Sequence, residues 1–197
     1  MDFLQTLCKL EGKKIILASQ SPRRIELLRK IGLKFTTYTV DGEEKLSSYL
    51  SPTDFARQIA AQKAEEAIRK VKGDLIITAD TIVVKGEHIF GKPENDEDAR
   101  QMLLALSDDV HEVITAFCLI TPRQTIIEHE STRVTFYPLT DEEIDAYIAS
   151  GEPFDKAGAY AIQGYAGVFV KAIEGCYFNV MGFPLGKFYQ RLKDVQW

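Results

Sequence analysis

The sequence lacks both of the commonest nucleotide signatures. No Gly-x-x-x-x-Gly-Lys-Ser/Thr run and no Gly-x-Gly-x-x-Gly run occurs, which removes the P-loop and dinucleotide-fold readings. Any phosphate the chain binds must be held by another device. The histidines are few and isolated: His88, His111 and His129 form no His-Glu-x-x-His and no pair at ligand spacing, so a zinc hydrolase is not indicated. Cysteine is equally sparse. Cys8, Cys118 and Cys176 are far apart, odd in number and without Cys-x-x-Cys spacing, which excludes a disulfide framework or zinc ribbon and makes a reducing cytoplasm the simplest location. Positive charge is not in excess either. The net charge of −5 argues against a general nucleic-acid binder. No segment reaches transmembrane length, and Met1 to Leu10, with an acidic residue and scattered apolar positions, is unlike a signal peptide. Without repeats, low-complexity tracts or linkers, residues 1–197 are expected to form one folded α/β unit with a mixed sheet.

What is present is the composition of an ordinary globular protein, 45% hydrophobic and 27% charged, large enough for one substantial core or two small lobes. The most structured stretch runs from Ile15 to Gly32. Ile15 to Ala18 is an apolar run of strand length, and Ile25, Leu27, Leu28 and Ile31 recur at helical spacing. Between them, Ser19-Gln20-Ser21-Pro22-Arg23-Arg24 supplies Ser21 as a helix cap, a first-turn proline and two cations, and Gly32 ends the helix. A helix N-terminus favours an anion, and hydroxyls and guanidinium groups suit phosphate geometry. Taken alone, the motif reads first as an ordinary capped helix with solvated arginines and second as an anion site. Arginines in a first turn oppose the helix dipole, however, and cost stability unless an anion or acidic partner is present.

Along the rest of the chain, residues 1–12 are expected as a helical lead with Phe3, Leu4, Leu7 and Leu10 on one face. Phe35 to Val40 alternates like a strand and opens into Asp41-Gly-Glu-Glu44, a turn that by itself reads as solvated. Ser51 caps a helix running to about Lys70, with Asp54 as its reciprocal partner and Lys63 at the edge of an apolar stripe, where a lysine usually just snorkels. Asp74 to Ala79 is a buried strand and Ile82 to Val84 a second apolar run, with Asp80 wedged between them. A carboxylate there is expensive unless paired, hydrogen-bonded or metal-bound, so at Asp80 the functional reading outweighs the structural one. Lys85-Gly86 turns a hairpin, and Gly91-Lys92-Pro93 sets a lysine on a conformationally special backbone. Asn95 caps a helix to Leu106, Glu112 to Ile120 and Thr125 to Leu139 form an antiparallel ribbon, and Thr140-Asp-Glu-Glu143 opens a helix by a capping box. Residues 152–164 carry too many Gly, Pro and charged residues for a regular element and read as a long functional loop. A hairpin of Val168 to Ile173 with Cys176 to Val180, then a helix from Pro184 to Lys193, complete the chain.

Collected at strand ends and loops are Ser19, Ser21, Arg23 and Arg24; Glu43 and Glu44; Lys63; Asp80; Lys92; and Asp155 with Lys156. Cations plus a few carboxylates are what metal-assisted phosphoryl transfer needs. Lys and Arg neutralise phosphates, carboxylates hold Mg²⁺ or Mn²⁺, and one carboxylate orients or deprotonates water.

Five runs, Ser19-Gln-Ser-Pro-Arg-Arg24, Ala79-Asp-Thr81, Gly91-Lys-Pro93, Ser150 to Gly164 and Val180-Met-Gly-Phe-Pro184, together resemble the Maf family of nucleoside triphosphate pyrophosphatases, in the same order and over nearly the whole chain from Lys14. The resemblance implies a fold like that of the inosine-triphosphate pyrophosphatases: an elongated mixed sheet with flanking helices, its two lobes around a central cleft. It implies hydrolysis of a nucleoside triphosphate to the monophosphate and pyrophosphate with a divalent cation, and a homodimer. Asp80 matches the family's proposed general base and lies at the metal site. Ser19, Arg24, Lys63 and Lys92 match phosphate-handling positions, to which Ser21 and Lys156 are added as neighbouring donors. Glu44 matches a metal-site carboxylate, with Glu43 as the alternative register.

Three positions, Arg23, Thr81 and Gln163, match the branch that acts on dTTP and UTP rather than on 7-methyl-GTP. The Gln163 amide can accept from N3–H of uracil or thymine and donate to O4. A flipped amide would suit cytosine instead, so neighbouring groups must fix its orientation. Asp108 and Ala79 stand where the family commonly has glycine, and Phe183 where it has leucine. Two other readings remain: a nucleotide-binding regulator of cell division or septum formation, and a sanitiser of modified nucleotides.

Overall fold

The computed structural model describes residues 3–40 and 50–197; the Asp41–Glu44 turn, and with it the choice between Glu43 and Glu44, lies outside the described residues. The apolar run expected as a strand is β1 (Ile15–Ala18), buried at all four positions. It pairs in parallel with β2 (Thr36–Tyr38) on one side and β3 (Leu75–Lys85) on the other. Strands covered on both faces are unbroken apolar runs for this reason, and the connections between parallel strands must be crossovers. Here these carry α2 (Pro22–Lys30) and α3 (Pro52–Lys70). The full sheet has the order β2-β1-β3-β5-β6-β7, with β4 (His88–Phe90) antiparallel to β3. In it β5 is Val110–Ile120, β6 is Thr125–Phe136 and β7 is Val170–Glu174, the last antiparallel to β6. The mixed α/β architecture is the one expected.

The chain divides into two compact units, residues 1–80, 115–130 and 182–197 in one and 81–114 and 131–181 in the other. In the first, Ile16, Ala18, Ala67 and Ile76 pack with Tyr38, Val40 and Val71. Phe117, Phe183 and Phe188 form a second knot there, with ring centroids 5.1–6.1 Å apart. Such pairs add about 0.5–1.5 kcal/mol each beyond area burial. Phe183, the departure from leucine, thus has two aromatic neighbours. In the second unit, Leu103, Phe136, Ile144, Tyr147, Tyr160 and Phe169 belong to one buried cluster. Around it stand α4 (Asp96–Leu106), capped by Asn95, and α5 (Asp141–Ala149), which opens with the reciprocal Thr140 and Glu143 bonds of a capping box. Asp108 occupies a left-handed conformation, φ 52°, which explains why glycine is the common occupant of that position; Asp tolerates it better than most residues do.

Five expectations are corrected. The lead helix, α1 (Phe3–Leu7), stops short because Lys9 is left-handed and the Gln5 amide donates to Leu10 O at 2.6 Å. Leu4 and Leu10 are buried, whereas Phe3 and Leu7 are exposed. Ser21 stands at the N-cap of α2 but makes no side-chain cap; its own N–H donates to Ser19 Oγ at 3.2 Å. Asp80 does not separate two strands, because β3 runs unbroken through it. Gly91 is not left-handed. Finally, Cys176 to Val180 is no strand. Residues Tyr177–Val180 form the helical turn α6, drawn inward as the Asn179 amide donates to Val113 O at 2.8 Å and to Thr132 Oγ1 at 2.9 Å. The closing helix, α7 (Leu185–Lys193), follows.

Candidate active site

Asp80 is buried, 8% exposed, and its Oδ1 accepts from Lys63 Nζ at 2.7 Å. The pairing answers how a carboxylate is tolerated in a buried strand. It also places Lys63 on the α3 face turned to β3: two residues before Asp80, the Thr78 hydroxyl donates to Ala60 O at 2.6 Å, so alternate residues of β3 are stitched to the same helix. Pleating sends Thr81 to the opposite face, the one it shares with Val83 of the second unit's core.

The Ser19–Arg24 motif closes on the same strand. Arg24 Nη1 donates to Ala79 O at 2.8 Å and to Ser19 Oγ at 3.4 Å, and its Nε donates to Gly182 O at 2.9 Å. One guanidinium therefore ties together the end of β1, the residue before Asp80 and the Met181-Gly182-Phe183 segment. Backbone carbonyls, and not only an anion, offset the cost of a cation in the first turn of α2. Arg23 is half-buried and one residue earlier on the helix, so it leaves the axis about 100° away from Arg24.

In the second unit, residues 152–169 form three short 3-10 turns, Glu152–Asp155, Ala157–Ala159 and Tyr165–Phe169. Gly158 and Ala159 are both left-handed, with φ 67° and 60°, and a Cβ on Gly158 would come within 2.9 Å of Val83. That close approach lets the Gly158 N–H donate to Gly91 O at 2.9 Å, which joins the segment carrying Lys92 to the one carrying Lys156. Lys92 is exposed. The Lys156 ammonium donates to Glu152 O at 2.6 Å and pairs with Asp155, so it must rotate to meet a phosphate. Gln163 is exposed in the turn that the Gly164 N–H closes onto Ala161 O at 3.0 Å.

Behind this loop lie groups the sequence did not single out. His111 Nε2 and the Tyr160 hydroxyl are hydrogen-bonded at 2.7 Å, both residues being buried. His111 Nδ1 is buried without a partner, so an imidazolium there would strand an N–H. Burial, then the Lys85 charge, pushes the His111 pKa down to about 4. The Tyr147 hydroxyl donates to Glu152 Oε1 at 3.1 Å. Burial, then the charge of Glu152, pushes its pKa well above the usual tyrosine range, which keeps it a donor. Glu152 had one available signal: a carboxylate in a Gly-rich loop needs N–H donors, and loop backbone supplies them.

No three His, Cys, Asp or Glu side chains among the described residues form a group able to hold a metal ion. Asp80 nonetheless offers a hard oxygen donor, and Mg²⁺ characteristically takes one or two carboxylates together with substrate phosphates, so the donor chemistry fits. No helix among the described residues is long and apolar enough to cross a membrane.

In fold the chain is similar to the Staphylococcus aureus Ham1 protein, with a TM-score of 0.54 over 92% of this chain and 99% of that one, at 16% identity. That likeness defines an architecture. The chain belongs to the Maf-like protein family, whose model matches residues 14–195. Among curated relatives, a dTTP/UTP pyrophosphatase of Bacillus cereus is 46% identical over 182 residues, 92% of this chain and 90% of the relative. Another dTTP/UTP pyrophosphatase, from Bacillus anthracis, is 45% identical over 92% of this chain and 95% of its own.

Proposed function

We propose that this chain is a nucleoside triphosphate pyrophosphatase that hydrolyses dTTP and UTP to the monophosphate and pyrophosphate. The observation that carries the reading is the buried Asp80, paired with the half-buried Lys63, beside a strand end that Arg24 ties to Ser19. It is supported by relatives at about 45% identity that bear the name dTTP/UTP pyrophosphatase. Asp80 takes the proton from the water that attacks the α-phosphorus. As the new oxygen–phosphorus bond forms, the bond from that phosphorus to the bridging oxygen breaks, and its electron pair leaves with pyrophosphate. Lys63 holds Asp80 in line through the 2.7 Å bond. Ser19, Ser21, Arg24 and Lys92, with Lys156 once rotated out of its loop contacts, hold the phosphates.

Asp80 and Glu44 would hold a divalent ion, Mg²⁺ or Mn²⁺, which supplies neutralisation of the charge accumulating on the leaving group. Arg23, Thr81 and Gln163 select the base, with modified pyrimidines as further substrates. We take the protein to work as a homodimer in the cytoplasm; a monomer at micromolar concentration in sedimentation would remove the first point.

A nucleotide panel with pyrophosphate and orthophosphate scored separately tests the activity. Turnover of dTTP and UTP above the other nucleotides, with pyrophosphate as product, is expected. Diphosphate plus orthophosphate would overturn the mechanism, and binding of dTTP with no release under any divalent ion would favour a regulator of cell division.

A further inference from the structure

Glu152 and Tyr147 have no part in the chemistry above, yet both grip the segment that carries Gln163. Tyr147, buried on α5, donates its hydroxyl to Glu152 Oε1 at 3.1 Å. The other carboxylate oxygen, Oε2, accepts from the Tyr165 N–H at 3.1 Å. Tyr165 is the residue two after Gln163, and Ala161, two before it, is joined to the turn by the Gly164 N–H on its carbonyl at 3.0 Å. The carboxylate therefore holds one shoulder of the turn, and the tyrosine hydroxyl holds the carboxylate. A Cβ on Gly164 would lie 2.1 Å from Glu152 Oε1, so the carboxylate sits directly against the turn and any side chain there would displace it. A second bond, Gly167 N–H to Gly164 O at 3.0 Å, closes the far side.

The turn needs such a hold. Gln163, Gly164 and Tyr165 are exposed, Tyr165 at 69%, and no residue between Tyr160 and Ala166 is fully buried. An amide on a loose turn can meet a base edge either way round, and its two orientations suit uracil-type and cytosine-type edges respectively.

We infer that Glu152 and Tyr147 are positioning residues for base selection: through Tyr165 they fix the turn on which Gln163 presents its amide to the pyrimidine. The inference rests on the base-reading role given to Gln163 above. Neither residue touches substrate; what they control is where the amide stands and how freely it turns over.

Tyr147→Phe, Glu152→Ala, Glu152→Gln and Gln163→Ala are compared for pyrophosphate release from dTTP, UTP, dCTP and CTP, with kcat and KM determined separately. Tyr147→Phe keeps the ring packed edge-on against Phe169 and removes only the hydroxyl, so it decides the matter should Glu152→Ala fail to fold. The loss of one such hydrogen bond is expected to raise KM for dTTP and UTP about ten-fold with kcat nearly unchanged, and to lower the preference for dTTP over dCTP by about the same factor. Glu152→Gln, which keeps one acceptor, recovers part of the preference. An unchanged KM and ranking in folded Tyr147→Phe, alongside an altered ranking in Gln163→Ala, would overturn the positioning role alone. An unchanged ranking in Gln163→Ala would remove the base assignment itself and the inference with it. A fall in kcat for all four nucleotides at constant KM would also overturn it, by marking a role in the chemical step.

Discussion

The set of side chains around Asp80 and the turn that carries Gln163 are built from different material. Around Asp80, side chains hold one another: Lys63 bonds Asp80, and Arg24 bonds Ser19 and the carbonyls of Ala79 and Gly182. At the turn, the backbone is the shaped object, held from beneath by Glu152 and Tyr147 and kept tight by Gly164. Fixed charges suit a transition state whose charge is the same for every nucleotide. A shaped backbone suits a choice between base edges that differ by the placement of one donor and one acceptor. Rate and choice should therefore come apart under substitution, the first region governing all substrates alike and the second only their ranking.

The largest break is expected at Asp80. Asp80→Asn keeps the shape and the possibility of a bond to Lys63 but removes the base, and should lower kcat about 10²- to 10⁴-fold for dTTP and UTP by one common factor. Pyrophosphate release under saturating Mg²⁺ measures it. Full turnover in the variant would show that Asp80 is not the base.

The same contrast decides what the sequence disclosed. Asp80 was legible because an acidic residue inside an apolar run carries a cost that must be met somewhere, and that cost can be read without coordinates. Its partner was less so: Lys63 stood out only as a lysine at a stripe edge, and the 2.7 Å bond depends on how α3 packs on β3. Helices announced by Asn95 and Thr140 are present because caps are local chemistry. Cys176 to Val180 misled for the opposite reason. Its Cys, Tyr, Phe and Val beside the Glu174-Gly175 turn have strand composition, but the Asn179 amide is claimed by Val113 and Thr132, which are distant in sequence. The Glu152 and Tyr147 hold on the turn was legible only as a loop carboxylate in need of donors; which backbone N–H and which hydroxyl it takes, no spacing encodes.

A second test lies within the turn's own unit, where His111 is buried against Tyr160. Its folded pKa, about 4, lies below the ordinary 6.5, so between these values the unfolded chain binds a proton that the folded chain does not. The stabilisation is therefore fully present above pH 6.5 and is lost as pH falls through about 4. At about 1.4 kcal/mol per unit, the loss is about 3 kcal/mol. Urea unfolding at pH 7 and pH 4 should show it, and His111→Gln should remove that part of the slope. An unchanged pH dependence in the variant would mean that His111 is not the titrating group.

The smallest effects separate the neighbouring arginines. Arg24→Ala deletes bonds to Ala79, Gly182 and Ser19 and should lower kcat/KM about 10- to 100-fold for every nucleotide, the range expected for charge-assisted bonds. Arg23 leaves α2 in another direction. If it serves base choice as proposed, Arg23→Ala should change the dTTP-to-dCTP ratio by about five-fold, worth about 1 kcal/mol, and leave the better substrate's kcat close to that of the parent. Equal losses across the panel in both variants would place Arg23 with the phosphates and would shift the boundary between the two regions into the Ser19–Arg24 motif itself. A ratio that moves in Arg23→Ala but not in Arg24→Ala keeps that boundary between two consecutive side chains, with the helical rotation of about 100° as the device that separates them.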